Sequence, residues 1–197
     1  MEIIIHRINK IKDLKKIPKN FGTEIDLRSY GSKLILNHEA KKNGDYLENY
    51  LENYDNGTLV LNIKESGIED EVIKIIKKYK KIKSFFLLDV EVPYLFKSFQ
   101  NNHKYCALRT SYYERLMSSL KFKKIFNWLW IDTIKKINFD NKNDKQILNS
   151  FKKCLVCPER WGKPHMIKFY KNYFKKQNIN LNAVMTSMKY SNTWLKK

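Results

Sequence analysis

The chain has 197 residues, 43% of them hydrophobic and 14% aromatic, so it can bury a substantial core, and its length suits one domain over residues 1–197. Its longest apolar runs, such as Phe85-Phe86-Leu87-Leu88 and Trp128-Leu129-Trp130-Ile131, fall far short of the roughly 18 residues that span a bilayer. A formal net charge of +19, carried by lysines scattered along the sequence, reads first as a solvated surface and second as attraction for an anionic substrate or the lipid headgroups of a membrane surface, and argues least for nucleic acid.

Short apolar runs at residues 2–6, 23–28, 33–38, 58–64, 84–89, 105–109, 126–132, 154–159 and 181–186 predict strands. Helical spacing appears at 46–54, 68–80, 111–120 and 164–176, and the polar stretch 138–145 reads as a surface loop. Residues 24–38, with Tyr30-Gly31 as the turn, predict a strand with a hairpin-like extension. The alternation predicts an α/β fold: a compact TIM-type (β/α)8 barrel in which some outer helices are short or missing, notably between residues 8 and 21.

The polar pair His6-Arg7 interrupts the N-terminus before a secretory h-region can develop. Three cysteines, an odd number, agree with a reducing compartment, and the Cys154/Cys157 pair lacks the partners of a zinc site. A cytoplasmic location is expected; the oligomeric state is not encoded in any feature of the sequence.

Ionisable residues recur at the ends of the apolar runs: His6-Arg7, His38-Glu39, Lys64-Glu65, Asp89, Arg109, Asp132 and Glu159. In a barrel the C-terminal ends of the strands form the active-site face. Glu24 and Asp26, two apart on one strand, project to the same side, and paired carboxylates suit Mg²⁺ or Ca²⁺. His6 and His38 titrate near neutrality, so one can take a proton from a nucleophile while the other protonates a leaving oxygen. Arg7 and Lys64 suit the non-bridging oxygens of a phosphodiester. Trp128 and Trp130 alternate along one strand, so only one faces inward, chiefly as core; Trp130 is counted with Asp89, Glu91, Arg109, Asp132 and Glu159 around the mouth. His103 and His165 lack such company and read as loop or helix-start residues.

These motifs resemble the glycerophosphodiester phosphodiesterases, within the phosphatidylinositol-phospholipase-C-like barrels. The resemblance is carried by His6-Arg7, Glu24-Ile25-Asp26, Asn37-His38-Glu39 and Leu61-Asn62-Ile63-Lys64 with Gly67. It continues more loosely through Leu88-Asp89-Val90 with Pro93, Leu108-Arg109-Thr110-Ser111, Trp130-Ile131-Asp132, Cys157-Pro158-Glu159 with Gly162, and Met185-Thr186-Ser187. It implies that His6 and His38 are the acid/base pair, that Glu24, Asp26 and Asn62 bind a divalent cation, Mg²⁺ or Ca²⁺, and that Arg7 and Lys64 contact phosphate. The implied reaction is hydrolysis of an anionic phosphodiester to a phosphomonoester and an alcohol. Four positions depart from the family pattern: Ile8 replaces a glycine, Glu39 and Ser187 replace aspartates, and Asn62 replaces a carboxylate. An amide oxygen ligates a hard cation without adding charge, so cation affinity should be weaker, with Asp89 or Glu91 as substitutes. The same substitution favours an alternative, an inactive barrel that binds a phosphorylated ligand or partner.

Overall fold

All nine apolar runs form strands in the computed structural model, which describes residues 1–139 and 141–196. The chain forms two compact units, Ile4–Phe96 and Lys97–Lys197, the latter joined by Met1–Ile3.

In the Ile4–Phe96 unit, β1 (Glu2–Ile5) runs parallel to β2 (Gly22–Tyr30), with Ile4 opposite Gly22 and Ile5 opposite Thr23. β3 (Lys33–Leu36) returns antiparallel along the outer half of β2, pairing Tyr30 with Lys33 and Leu27 with Leu36. The two-residue turn between them is opened by Gly31 at a φ of 61°, where glycine carries no Cβ penalty. β4 (Asp45–Tyr46) extends the hairpin against β3. Gly44, just before β4, lies so close to the Leu36 carbonyl that a Cβ there would collide with backbone. The inner half of β2 pairs parallel with β5 (Leu59–Ile63), and β5 with β6 (Phe85–Leu88). Every residue of β5 is buried, as expected of a parallel strand covered on both faces.

Helices after the strands bury apolar side chains in this unit, chiefly the second and third. α1 (Ile11–Leu14) is a single turn, in keeping with the short outer helix expected there. α2 (Leu47–Glu52) buries Leu47, Tyr50 and Leu51. α3 (Glu69–Ile76) buries Val72, Ile73, Ile75 and Ile76 and carries Glu69, Asp70 and Glu71 in its first turn, where carboxylates complement the helix dipole. α4 (Val92–Gln100) follows β6, with Pro93 in its first turn.

In the Lys97–Lys197 unit, β7 (Ala107–Thr110), β8 (Trp128–Ile131), β9 (Lys152–Val156) and β10 (Ala183–Thr186) pair in that order, all parallel. Residues 111–120, expected to be helical, instead form a turn followed by a 3₁₀ segment over Leu116–Phe122. The Ser111 hydroxyl accepts the backbone N–H groups of Tyr113 and Glu114, which diverts the chain from a helix start. Residues 138–145 are only partly loop. α5 (Lys142–Leu148) starts there, because the Asn141 side chain accepts the Asp144 N–H at 2.7 Å and Ile147 and Leu148 can be buried. Buried Lys153 donates to the carbonyls of Leu148 and Phe151, tying off the end of α5. A 3₁₀ turn (Pro158–Trp161), α6 (Met166–Lys176) and α7 (Met188–Leu195) complete the unit.

In chain order, each of the eight parallel strands is followed by a helical or 3₁₀ segment before the next, with β3 and β4 inserted after β2. Cys106, Cys154 and Cys157 are buried free thiols, and Trp194 Nε1 donates to Cys157 Sγ at 3.2 Å, a packing role. Among the described residues no helix is long and apolar enough to cross a membrane.

Candidate active site

The centre of the site is a pair of carboxylates that the strand alternation places side by side. Glu24 and Asp26 lie two apart on β2 and are each only 1% exposed. Two buried carboxylates require compensation, and two neighbouring segments provide it.

The chain leaving β1 supplies the first part. Arg7 adopts a φ of 58°, uncommon for a residue with a Cβ, and this turn aims its backbone N–H at Glu24 Oε2, at 2.7 Å. The Ile8 N–H then donates to the Glu24 carbonyl at 2.8 Å. His6 Nε2 lies 3.8 Å from Glu24 Oε2, and Arg7 Nε lies 3.5 Å from Asp26 Oδ2. Asn9 closes the turn with a reciprocal pair: its Nδ2 donates to Asp26 Oδ2 and its Oδ1 accepts the Asp26 N–H, both at 2.8 Å.

The neighbouring strand supplies the second part. Register sets Asn62 of β5 beside Asp26, and its Nδ2 donates to Glu24 Oε1 at 2.9 Å. Asn62 Oδ1 is buried and accepts no hydrogen bond. Lys64, just past β5, places Nζ 3.4 Å from Asp26 Oδ1 and 3.6 Å from Asp89 Oδ2. Burial, reinforced by the negative charge of Asp26, pushes the Glu24 carboxyl up from its ordinary value to about 7, against the opposing pull of Asn62, the Arg7 N–H and Lys64.

His38 reaches this region through the hairpin expected over residues 24–38. It follows β3, which is antiparallel, so it does not sit at the C-terminal end of a parallel strand. The hairpin instead carries the chain back, and the Asn37 N–H donates to the Asp26 carbonyl at 3.0 Å. The His38 carbonyl accepts both Arg28 Nε and Nη2 at 3.2 Å, and its Nδ1 is 2.8 Å from Glu39 Oε1. The His38 hydrogen bond holds the exposed Glu39 carboxyl below the usual range, with the charge of Arg7 as a smaller contribution.

Asp89 and Glu91 do not complete a third carboxylate. Asp89, itself at a φ of 57°, pairs with Lys64, and Glu91 is exposed at the start of α4, where its carbonyl accepts the Leu95 N–H. Among the described residues no three His, Cys, Asp or Glu side chains gather into a metal-holding group. The donor set on offer is therefore Glu24, Asp26 and the Asn62 amide oxygen. That orphaned, buried oxygen beside two carboxylates fits a hard cation with oxygen ligands.

The remaining sequence candidates belong to the other unit and form separate local arrangements. Arg109 Nη2 donates to Asp132 Oδ2 at 2.6 Å while its Nε lies 3.2 Å from Glu114 Oε2. Burial pushes the Asp132 carboxyl up, and Arg109 opposes this. Trp130 is 4% exposed and belongs to the core. Glu159 accepts the Thr186 hydroxyl at 3.0 Å and the Ser187 N–H at 2.8 Å, joining the ends of β9 and β10. His165 precedes α6, and the His103 N–H donates to the Ser98 carbonyl after α4.

Asn9 was not legible as a site residue, since nothing in its sequence surroundings signals the reversal at Arg7. The signal available was weak: a polar amide three residues past a strand-ending histidine.

Eight parallel strands, each paired in chain order with a helical or 3₁₀ segment, define a TIM-type (β/α)8 fold. The crystal structure of a glycerophosphoryl diester phosphodiesterase from Parabacteroides distasonis is similar to it, with a TM-score of 0.60 over 93% of this chain and 81% of that one. Sequence identity is 11%, so the likeness is one of fold. No protein-family profile and no curated protein sequence matches the chain.

Proposed function

We propose that the chain is a metal-assisted phosphodiester hydrolase acting on a glycerophosphodiester or a related phosphodiester-linked lipid or saccharide. The observation that carries this reading is the convergence on two buried carboxylates of one histidine, two cations and an amide whose oxygen has no partner. The fold likeness to a phosphodiesterase supports it.

In this reading Arg7 and Lys64 bind the non-bridging phosphate oxygens, Arg7 as a fork and Lys64 as a point charge. Asp26 orients both cations, and Asn9 orients Asp26. His6 and His38 divide the proton transfers: one accepts the proton of the attacking hydroxyl, from water or a neighbouring group of the substrate, and the other donates to the leaving oxygen. Glu39 fixes the orientation of His38 by holding Nδ1, which leaves Nε2 for proton exchange. Glu24 stabilises positive charge on His6. Glu24, Asp26 and Asn62 would hold Mg²⁺ or Ca²⁺, which, when bound, stabilises negative charge on the phosphoryl oxygens.

Hydrolysis of bis(p-nitrophenyl) phosphate and glycerophosphodiesters, followed with Mg²⁺, Ca²⁺ or chelator, tests the proposal. Wild type should turn over, and His6→Ala and His38→Ala should each lose activity. The substitution Asn62 also supports a second reading, a binding-only barrel. In that case the wild type binds phosphodiesters at Arg7 and Lys64 without turnover under any cation condition.

A further inference from the structure

The positive charge is divided unevenly between the two units. Residues 97–197 hold 22 Lys and Arg against five Asp and Glu, a formal +17, whereas residues 4–96 hold 17 against 14, a formal +3. Excess charge of this size on one unit needs an anionic partner or a function in solubility alone.

One end of this unit joins that charge to exposed aromatic side chains. After β7, Tyr112 and Tyr113 are 59% and 64% exposed and pack edge to face, with centroids 5.2 Å apart. After β8, Lys135 places Nζ 4.9 Å from both ring centroids. Lys136 is exposed beside it, and Arg115 lines the same cleft as Tyr112 and Lys136. Of the nearby carboxylates, Glu114 pairs with Arg109 and Ser111, and Asp144, which lines the same cleft, accepts from the Asn141 amide.

We infer that this end of the Lys97–Lys197 unit docks on an anionic lipid surface. Exposed tyrosines flanked by lysines suit the headgroup region, where an apolar ring and a polar tip are both accommodated. The alternative polyanion, single-stranded nucleic acid, needs open ring faces on which bases stack. Here one tyrosine edge packs on the other ring and the Lys135 ammonium covers a face of each, so few faces are free. The inference stands whether or not the phosphodiesterase reading holds, because it concerns binding and not turnover.

The test is co-sedimentation of the full chain with vesicles of one-third phosphatidylglycerol in phosphatidylcholine, against pure phosphatidylcholine. A basic residue near an anionic leaflet contributes about 1 kcal/mol, roughly fivefold in partitioning, so Lys135→Gln with Lys136→Gln should weaken binding about 25-fold. Tyr112→Ser with Tyr113→Ser should weaken it independently. Lys175→Gln with Lys176→Gln, the same charge change at the opposite end of the strands after α6, should stay within about twofold of wild type. His6→Ala should partition like wild type. The inference is overturned if wild type does not prefer anionic vesicles, if the Lys175/Lys176 pair matters as much as the Lys135/Lys136 pair, or if these substitutions weaken binding to a single-stranded oligonucleotide and not to vesicles.

Discussion

Glu24→Gln should change how stability depends on pH. The buried Glu24 carboxyl is raised from 4.5 to about 7, so the folded chain holds its proton where the unfolded chain releases it. Between those values the folded state binds more protons than the unfolded state, and stability therefore falls as pH rises through the window. A shift of that size corresponds to about 3 kcal/mol, lost progressively between pH 4.5 and 7 and fully absent above. Glutamine keeps an acceptor for the Arg7 N–H and cannot ionise, so it removes this contribution while leaving the other carboxylates in place. Urea unfolding of both proteins in chelator, at pH steps from 4.5 to 8, measures the difference and cancels the background from the charge of +19. Relative to Glu24→Gln, wild type should lose about 3 kcal/mol across the window. Parallel stability curves for the two proteins would refute the claim that burial holds the Glu24 carboxyl above its ordinary value.

Three further substitutions test the surroundings. Asn62→Asp adds a carboxylate beside Glu24 Oε1 in place of a donor, so it should destabilise the chain by about 1.5–3 kcal/mol in chelator and raise Mg²⁺ or Ca²⁺ affinity, read by calorimetry. Asn9→Ala breaks two hydrogen bonds to Asp26, one of them to its carboxylate, and should cost about 2–3 kcal/mol in chemical denaturation, with a lowered phosphodiester turnover. Arg109→Ala leaves Asp132 buried without its cation and should cost about 3 kcal/mol, whereas Glu114→Ala, at an exposed partner, should cost under about 1 kcal/mol.

The strand plan was legible because parallel strands buried on both faces write themselves as continuous apolar runs, as β5 and β6 do. The hairpin was legible from Tyr30-Gly31. α4, α5 and α7 were not: each is short, and α5 depends on the Asn141 cap more than on apolar period. Glu24 and Asp26 could be paired from alternation alone, and Asn62 only through the family resemblance. Asn9 could not, because its role depends on the left-handed turn at Arg7. His38 was placed at the end of a hairpin-like extension, and β3 does return antiparallel to β2; its neighbourhood depends on hairpin length, which residue spacing conveys poorly. The scattered lysines hid an asymmetry that only the division into two units makes plain.

The most direct measurement of the central claim is the rate of phosphodiester hydrolysis by wild type, His6→Ala and Lys64→Ala at saturating divalent cation and neutral pH. Wild type should turn over, His6→Ala should lose about 10²- to 10⁴-fold as expected for a general acid or base, and Lys64→Ala should lose mainly substrate affinity. Equal rates in all three, from protein of unchanged fold, would contradict the assignment of this carboxylate-centred mouth as a phosphodiester site.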